Sequence, residues 1–328
     1  MIELQLVHSA HPLSKSAHSI PSASFLNNWS SSSLNTVSQE SPAPPTSHED
    51  SLFEFATTGE KGMMMKNRSM PDQILKPVRA NEFNFYETVY PNCPQIQRFA
   101  PKYFGFKMKE RPLVKLEDLT ARYKRANILD IKMGHSTAGE KESDEKKEYR
   151  RKKDGATTSL PLAMRYAGLW LFDPETRDYH IKDKIWGKRL EAKDFFSTLD
   201  MYVSNQGKNS IEKRIGLIDK WMTKLEAIKQ WIDSPNAQFR MYSSSLMFIY
   251  EGDDLDDVSC DLRMIDFSHV YPIRDGGRDD GYIKGLNNLM SYLADLKDMY
   301  TLSMHSEAGF DLEGEPLNIK DMSARPPE

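Results

Sequence analysis

Hydrophobic positions fall into three patterns along this chain: short continuous apolar runs, long stripes at helical spacing, and stretches with neither. The first pattern predicts strands buried on both faces. It occurs at Gln73 to Pro77, Asn127 to Met133, Ser243 to Tyr250 and Arg263 to Phe267. The second predicts helices that lay one face on a core. Ile211, Ile215, Ile218, Met222 and Leu225, with Trp221, Ile228 and Ile232, form one such stripe, and Tyr282, Leu286, Leu289, Leu293, Leu296 and Tyr300 form another. Asn209, with Glu212 three positions later, reads as a capping box opening the first of these helices. Phe83, Tyr86 and Val89 predict a shorter helix over Asn81 to Val89.

From about Ser9 to Asp50 serine, proline, asparagine and histidine dominate without periodicity, which reads as a disordered leader. Leu52-Phe53-Glu54-Phe55-Ala56 then predicts a first strand, with a turn near Gly59 to Gly62, and Met63 to Met65 lead toward the strand at Lys76. After His305 the chain is rich in acid and proline and reads as a loose extension.

Charges set inside the apolar runs point to chemistry. Side chains two apart on a strand share a face, so Asp130 and Lys132 project together from a segment whose Ile128, Leu129, Ile131 and Met133 favour burial. Opposite charges anchored in such a strand are costly unless paired or in use. Lys76 places a lysine stem in another apolar run, and Asp266 stands at the end of a third, where a divalent metal can bind. A lysine for nucleotide phosphates, a polar pair beside an acceptor and a late metal-binding Asp are the parts of an ATP-dependent phosphoryl transferase. The charged stretch Glu142 to Asp154, read as a helix, brings Lys146, Tyr149, Arg150 and Lys153 onto one face. A cationic face suits a ligand with several phosphates, although most charge runs are only solvated surface.

Composition narrows the class. Two cysteines, Cys93 and Cys260, in 328 residues argue against a disulfide scaffold and fit a reducing compartment. No apolar run approaches the ~20 residues of a spanning helix, and no secretory signal opens the chain, so the sequons at Asn28 and Asn67 are expected to be idle. A net charge of -4 excludes a generally basic nucleic-acid binder. There is no G-x-x-x-x-G-K-[ST] and no H-R-D-x-x-x-x-N, which removes P-loop and protein kinases. The acidic run Asp253 to Asp261 lacks the glycine and terminal glutamate of an EF-hand, and the histidines lack zinc spacing.

At these residues the sequence resembles the inositol polyphosphate kinase family. Its P-x-x-x-D-x-K-x-G signature matches Ala126 to Gly134 with alanine in place of proline; its S-S-L element matches Ser244 to Leu246, and its I-D-F element matches Ile265 to Phe267. Lys115 to Thr120 looks like the family's interlobe hinge, and Trp186-Gly187-Lys188-Arg189-Leu190 looks like its aromatic-G-R-x-L element with two residues exchanged. Five short motifs in the family's order, spread over roughly Gln73 to Tyr300, are not a chance arrangement.

The resemblance implies an α+β, two-lobed inositol polyphosphate kinase fold of the ATP-grasp and protein-kinase type. Its parts would be a leader at 1–50, an N-terminal lobe with hinge at 51–120, a catalytic lobe at 121–304 whose inositol-binding helix spans about 142–154, and a tail at 305–328. It also implies ATP with Mg2+ as cofactors. Backbone groups of Glu117 and Leu119 would hold adenine, Lys76 the nucleotide phosphates, and Asp266 the metal. Asp130 would meet the ribose and inositol region, and Lys132 the transferring phosphoryl group. Lys146, Tyr149, Arg150, Lys153 and His269 would contact substrate, with Ser245 shaping the site, while Arg165 and Gly168 match a strand read as structural. The nucleotide-covering hairpin expected before Lys76 is poor in glycine, so no phosphate-loop residue is assigned. The short connections after Gly134 and His269 look more like the multikinase branch, which acts on less phosphorylated inositols. Hexakisphosphate kinase activity and a noncatalytic scaffold are the alternatives. A monomer in nucleus and cytoplasm, without nucleic-acid or membrane partners, is expected, Arg150 to Lys153 also being able to serve as a nuclear localisation signal.

Overall fold

Two antiparallel sheets grow out of the apolar runs. In the computed structural model, which describes residues 64–67, 69–140 and 142–307, Met65–Lys66 (β1), Gln73–Pro77 (β2), Tyr103–Met108 (β3) and Pro112–Glu117 (β4) form the first, ordered β1-β2-β4-β3. The expected leader, the strand at Leu52 to Ala56 with its turn, and the tail after 307 lie outside the described residues. Helices Ala80–Asn84 (α1) and Pro94–Phe99 (α2) follow β2, and α1 runs on through a wide π turn, Phe85–Val89. Stacking of Phe85 on Phe267, ring centroids 4.4 Å apart, ties this segment to the end of the later Arg263 strand.

The second sheet carries the Asp130 motif in its middle. Its order is β10-β9-β5-β6-β7, with Ala126–Met133 (β5), Met164–Phe172 (β6), Tyr179–Lys182 (β7), Ser245–Glu251 (β9) and Cys260–Ile265 (β10), while Phe239–Met241 (β8) pairs separately with Val270–Pro272 (β11). Between these strands lie helices Asp144–Gly155 (α3), Ser159–Leu162 (α4), Lys184–Arg189 (α5), Asp194–Val203 (α6), Ile211–Ile232 (α7) and Asp280–Glu307 (α8).

Alternation along β5 decides which side chains meet the core. Leu129, Ile131 and Met133 belong to the main apolar cluster with Trp221, Leu225, Leu286 and Leu289 of α7 and α8. Ala126 and Ile128, on the other face, join a smaller cluster with Tyr123, Met247 and Ile249, and Leu119 and Ile265 pack against its edge. Each fully buried side chain of this size contributes about 1.5–3 kcal/mol, so the register of β5 is strongly specified. The next residues on that second face are Asp130 and Lys132.

Two differences from the sequence reading have local causes. Helix α7 is capped by Ser210, whose hydroxyl accepts the Lys213 amide, and not by Asn209. Asn209 is buried and donates to the Val203 carbonyl instead. Helix α8 continues to Glu307, past the expected end of the lobe at 304, because Tyr300 still packs on the core. Gly187 sits where α5 crosses β6, and a Cβ there would lie 2.0 Å from the Tyr166 carbonyl oxygen, so only glycine allows the approach.

Candidate active site

The C-terminal ends of β2 and β5, the turn after β10 and the helix α3 converge on a cavity of about 530 Å³. Among the described residues it is lined by eight lysines and arginines but only two carboxylates, Glu82 and Asp266. Both carboxylates are already engaged. Lys76 Nζ lies 2.7 Å from Asp266 Oδ1 and 2.7 Å from Glu82 Oε1, and Ser268 donates to the other Glu82 oxygen at 3.0 Å. Burial opposes the Lys76 charge, yet the Asp266 and Glu82 carboxylates hold its pKa well above the usual lysine value. The ammonium is therefore a fixed cation.

Glu82 was not among the residues singled out in the sequence. Its signal was present: it lies six residues after Lys76, on the first turn of the helix expected beside the lysine strand, and only 4% of it is exposed. Protein kinases use a comparable lysine–glutamate pair to hold the nucleotide-binding lysine.

Asp266 occupies a left-handed backbone conformation, φ +65°, immediately after β10. Ser243 does so just before β9, φ +59°, and its carbonyl accepts a 2.6 Å hydrogen bond from Lys132 Nζ. Non-glycine residues in this region cost about 1–3 kcal/mol each and persist where packing over-determines them, commonly at functional sites. Here the strain turns one carboxylate toward Lys76 and one carbonyl toward Lys132. Ser245 stands opposite Lys132 on β9, fully buried, and its hydroxyl meets no hydrogen-bond partner among the described residues.

Asp130 departs from expectation. It shares the face of Lys132, but it is fully buried and does not line the cavity. One strand away lies Arg165, paired through the β5–β6 register with Lys132 and read from the sequence as structural. Arg165 does line the cavity while only 5% of it is exposed, and its Nε and Nη1 meet no acceptor among the described residues. Burial lowers its pKa, and Asp154 and Asp130 oppose that shift. The carboxylates of Asp154 and Asp130 thus balance a cation that lines the cavity. A buried arginine flanked by motif residues was visible in the sequence, but its direction was not.

The basic helix forms as α3, and only part of its face reaches the cavity. Arg150 and Lys153 line it, whereas Tyr149 is 67% exposed and Lys146 is also turned outward. The axis of α3 approaches with its C-terminal half, which carries the inner residues inward. Burial lowers the Lys153 pKa, and repulsion from Lys188, Arg165 and Arg150 adds to the effect. Arg79, Arg111 and Lys184 complete the cationic lining and were not anticipated, because they come from three separate segments. His269 lines the same cavity with Nδ1 3.5 Å from the Tyr271 hydroxyl. Burial and the Arg150 charge lower its pKa, so the ring is neutral near pH 7.

A second concavity, of about 200 Å³, opens beside the hinge and is lined by Phe104, Glu117, Asp118 and Leu119 among others. The Glu117 amide donates to the Lys102 carbonyl at 2.9 Å, so it is not available to a ligand there. Leu119, which lines this concavity, packs against the smaller apolar cluster, as does Ile265 at the end of β10.

Among the described residues no three His, Cys, Asp or Glu side chains are clustered for a metal. In nucleotide sites Mg2+ or Mn2+ is commonly shared by one or two carboxylates and the substrate phosphates. Asp266, at the cavity wall beside Lys76, has the oxygen chemistry for this.

An α+β fold with a lysine held by two carboxylates, a strand-end aspartate and a cationic cavity has the parts of a two-lobed phosphotransferase. Residues 113–294 match the family described as inositol polyphosphate kinase, and the chain belongs to that family. It is 28% identical to inositol hexakisphosphate kinase 3 of Mus musculus, over 82% of this chain and 73% of that protein. It is 27% identical to inositol hexakisphosphate kinase 1 of Homo sapiens, over 58% of this chain, and spans only 54% of that relative's length. A crystal structure of the inositol phosphate multikinase Ipk2 of S. cerevisiae, in complex with ADP and Mn2+, superposes with a TM-score of 0.60 at 24% identity, covering 68% of this chain and 98% of that one. That likeness establishes the fold.

Proposed function

We propose that this inositol polyphosphate kinase transfers the terminal phosphoryl group of magnesium-bound ATP to an inositol that already carries many phosphates, with inositol hexakisphosphate as the leading acceptor. The observation that carries the reading is the charge of the cavity: eight cations face it, and both lining carboxylates are bound to Lys76. An acceptor phosphate oxygen is already ionised at neutral pH. It forms a P–O–P bond as the bond from the γ-phosphorus to the ADP oxygen breaks, and no proton has to be removed. The enclosure of Asp130, away from the cavity surface, accords with a reaction that needs no base there. Sequence likeness to hexakisphosphate kinases supports the same choice.

In this reading adenine occupies the concavity at Leu119 and the Glu117 carbonyl, and Lys76 holds the nucleotide phosphates. Asp266 would hold the divalent ion, which when bound would supply positive charge to offset that of the phosphates. Lys132 sits between nucleotide and acceptor and stabilises charge on the transferring group, the main task in phosphoryl transfer. Asp154 and Asp130 offset the charge of buried Arg165. Arg150, Lys153 and Arg165 take acceptor phosphates, and neutral His269 hydrogen-bonds to the acceptor.

A second reading, multikinase activity on tris- and tetrakisphosphates, is favoured by the short connection between Gly134 and α3. Incubation of magnesium-ATP with a panel of inositol tris-, tetrakis-, pentakis- and hexakisphosphates, with Asp266→Asn alongside, separates the two. A pyrophosphate formed from hexakisphosphate, and lost in the variant, supports the first reading. Pentakisphosphate formed only from the lower members supports the second, and transfer to no member of the panel by folded protein refutes both.

A further inference from the structure

Helix α3 brings its own counter-ion. Glu142, two residues before the helix, folds back so that one carboxylate oxygen lies 2.7 Å from Arg150 Nε and the other 3.1 Å from Lys146 Nζ. The Glu142 side chain is only 6% exposed, against 54% for Lys146. The loop is anchored at its start, where Gly134 donates to the Ala163 carbonyl at 2.8 Å and the Thr137 amide donates to Asp154 at 2.7 Å, and beside the carboxylate, where the Glu142 amide donates to the Gly139 carbonyl at 3.2 Å and Ser143 caps α3. The carboxylate is therefore positioned by the fold. Its pKa lies below the usual glutamate range, burial being outweighed by Lys146 and Arg150, so it is ionised wherever the enzyme works.

The arrangement has two consequences for an incoming polyphosphate. Glu142 meets Arg150 at Nε and Arg150 lines the cavity, while the terminal nitrogens are the edge with which a guanidinium grips a phosphate. Holding Lys146 draws that ammonium away from the cavity, which Lys146 does not line although it shares a helix face with Arg150 and Lys153. One cation is aimed and another is withheld.

We propose that Glu142 is a specificity-determining residue that limits how many acceptor phosphates the substrate helix engages, by sequestering Lys146 while orienting Arg150. This rests on the reading of the cavity as an inositol polyphosphate site. The carboxylate contributes one negative charge near the acceptor, and its opposition grows with each phosphate the acceptor carries. Neutralising it should release Lys146 to a phosphate and should favour the most highly phosphorylated acceptor over the least.

The test is equilibrium binding of inositol hexakisphosphate and inositol 1,4,5-trisphosphate to the full chain by calorimetry, at fixed ionic strength, with turnover of each measured in parallel. Glu142→Gln keeps size and an acceptor for Arg150 and removes the charge. It should tighten hexakisphosphate binding about tenfold, the size of one charge-assisted contact, and trisphosphate binding by at most about threefold, with KM for ATP unchanged. Adding Lys146→Ala to that variant should reverse the gain, and Glu142→Asp, which keeps the charge, should keep the wild-type ratio of affinities. An unchanged ratio in Glu142→Gln, equal weakening of both ligands, or a gain that survives loss of Lys146 would overturn the assignment. Absence of inositol phosphate binding by the wild-type protein overturns it together with the functional reading. Binding without turnover defeats the kinase reading alone, since the affinity ratio still decides the role of Glu142.

Discussion

The two sides of the cavity handle charge in opposite ways. On the nucleotide side of the proposed site Lys76, Glu82, Asp266 and Ser268 are joined through contacts of 2.7–3.0 Å, and the Lys76 cation is matched by two carboxylates. On the acceptor side Arg150, Lys153, Arg165 and Lys184 face the same space, with Asp130 and Asp154 buried behind them and Glu142 set before the helix. A closed network costs little to maintain without ligand, whereas crowded cations lower each other's pKa, as at Lys153. In the proposed reading the nucleotide side is thus built before ATP arrives, and the acceptor side is completed by the charge of its ligand.

The largest effect is expected where the two sides meet. Lys132→Ala should reduce turnover by about 10²–10³-fold while changing ATP affinity only a few-fold, the signature of a group acting mainly on the transition state. Near-normal kcat in this variant would remove Lys132 from the reaction. Asp266→Asn should abolish the magnesium-dependent part of the thermal stabilisation by ATP, and should lower turnover by about 10²-fold. Equal melting shifts with and without magnesium in wild type would break the assignment of the metal to Asp266.

On the acceptor side Arg150→Ala should raise KM for the inositol phosphate by about ten- to a hundredfold, a charged hydrogen bond being worth about 1.5–3 kcal/mol, and should leave KM for ATP alone. Glu82→Gln should do the reverse more weakly, raising KM for ATP about tenfold through a less well-held Lys76. If both variants affected both substrates alike, the separation of the two sides would be unfounded. The smallest effect concerns His269. Its folded pKa is depressed, so its contribution to stability is fully present above the unfolded value near 6.5 and is lost as pH falls through the folded one. A ring proton titration by NMR should show a midpoint below 6.5, and a midpoint above it would mean that a carboxylate, and not burial, governs the ring.

Much of the fold was legible because it depends on local periodicity. The stripes of α7 and α8 and the run of β5 each present a single pattern that one element satisfies. The cap of α7 was misread by one residue since Asn209 and Ser210 both carry capping side chains, and burial of Asn209 against Val203 decided between them. Within the site, positions carried by one strand were readable, while partnerships across elements were not. Glu82 approaches Lys76 from a helix, Arg165 reaches the cavity from a neighbouring strand, and Lys146 is withheld by a residue outside the helix. Spacing along α3 shows that four side chains share a face, but not how much of that face meets the cavity.

The sequence by itself determined that an aspartate and a lysine would share one face of a buried strand, that a lysine strand would precede it, and that an aspartate would end a later strand. These follow from the period of two along a strand and from the cost of leaving apolar runs in water. Only the tertiary structure decided that Asp130 would be enclosed behind Arg165, that Lys76 would hold two carboxylates, and that Arg150 would face the cavity while Lys146 would not. Those outcomes depend on distances between segments remote in sequence, and electrostatic pairing responds to those distances and to burial, neither of which a one-dimensional pattern contains.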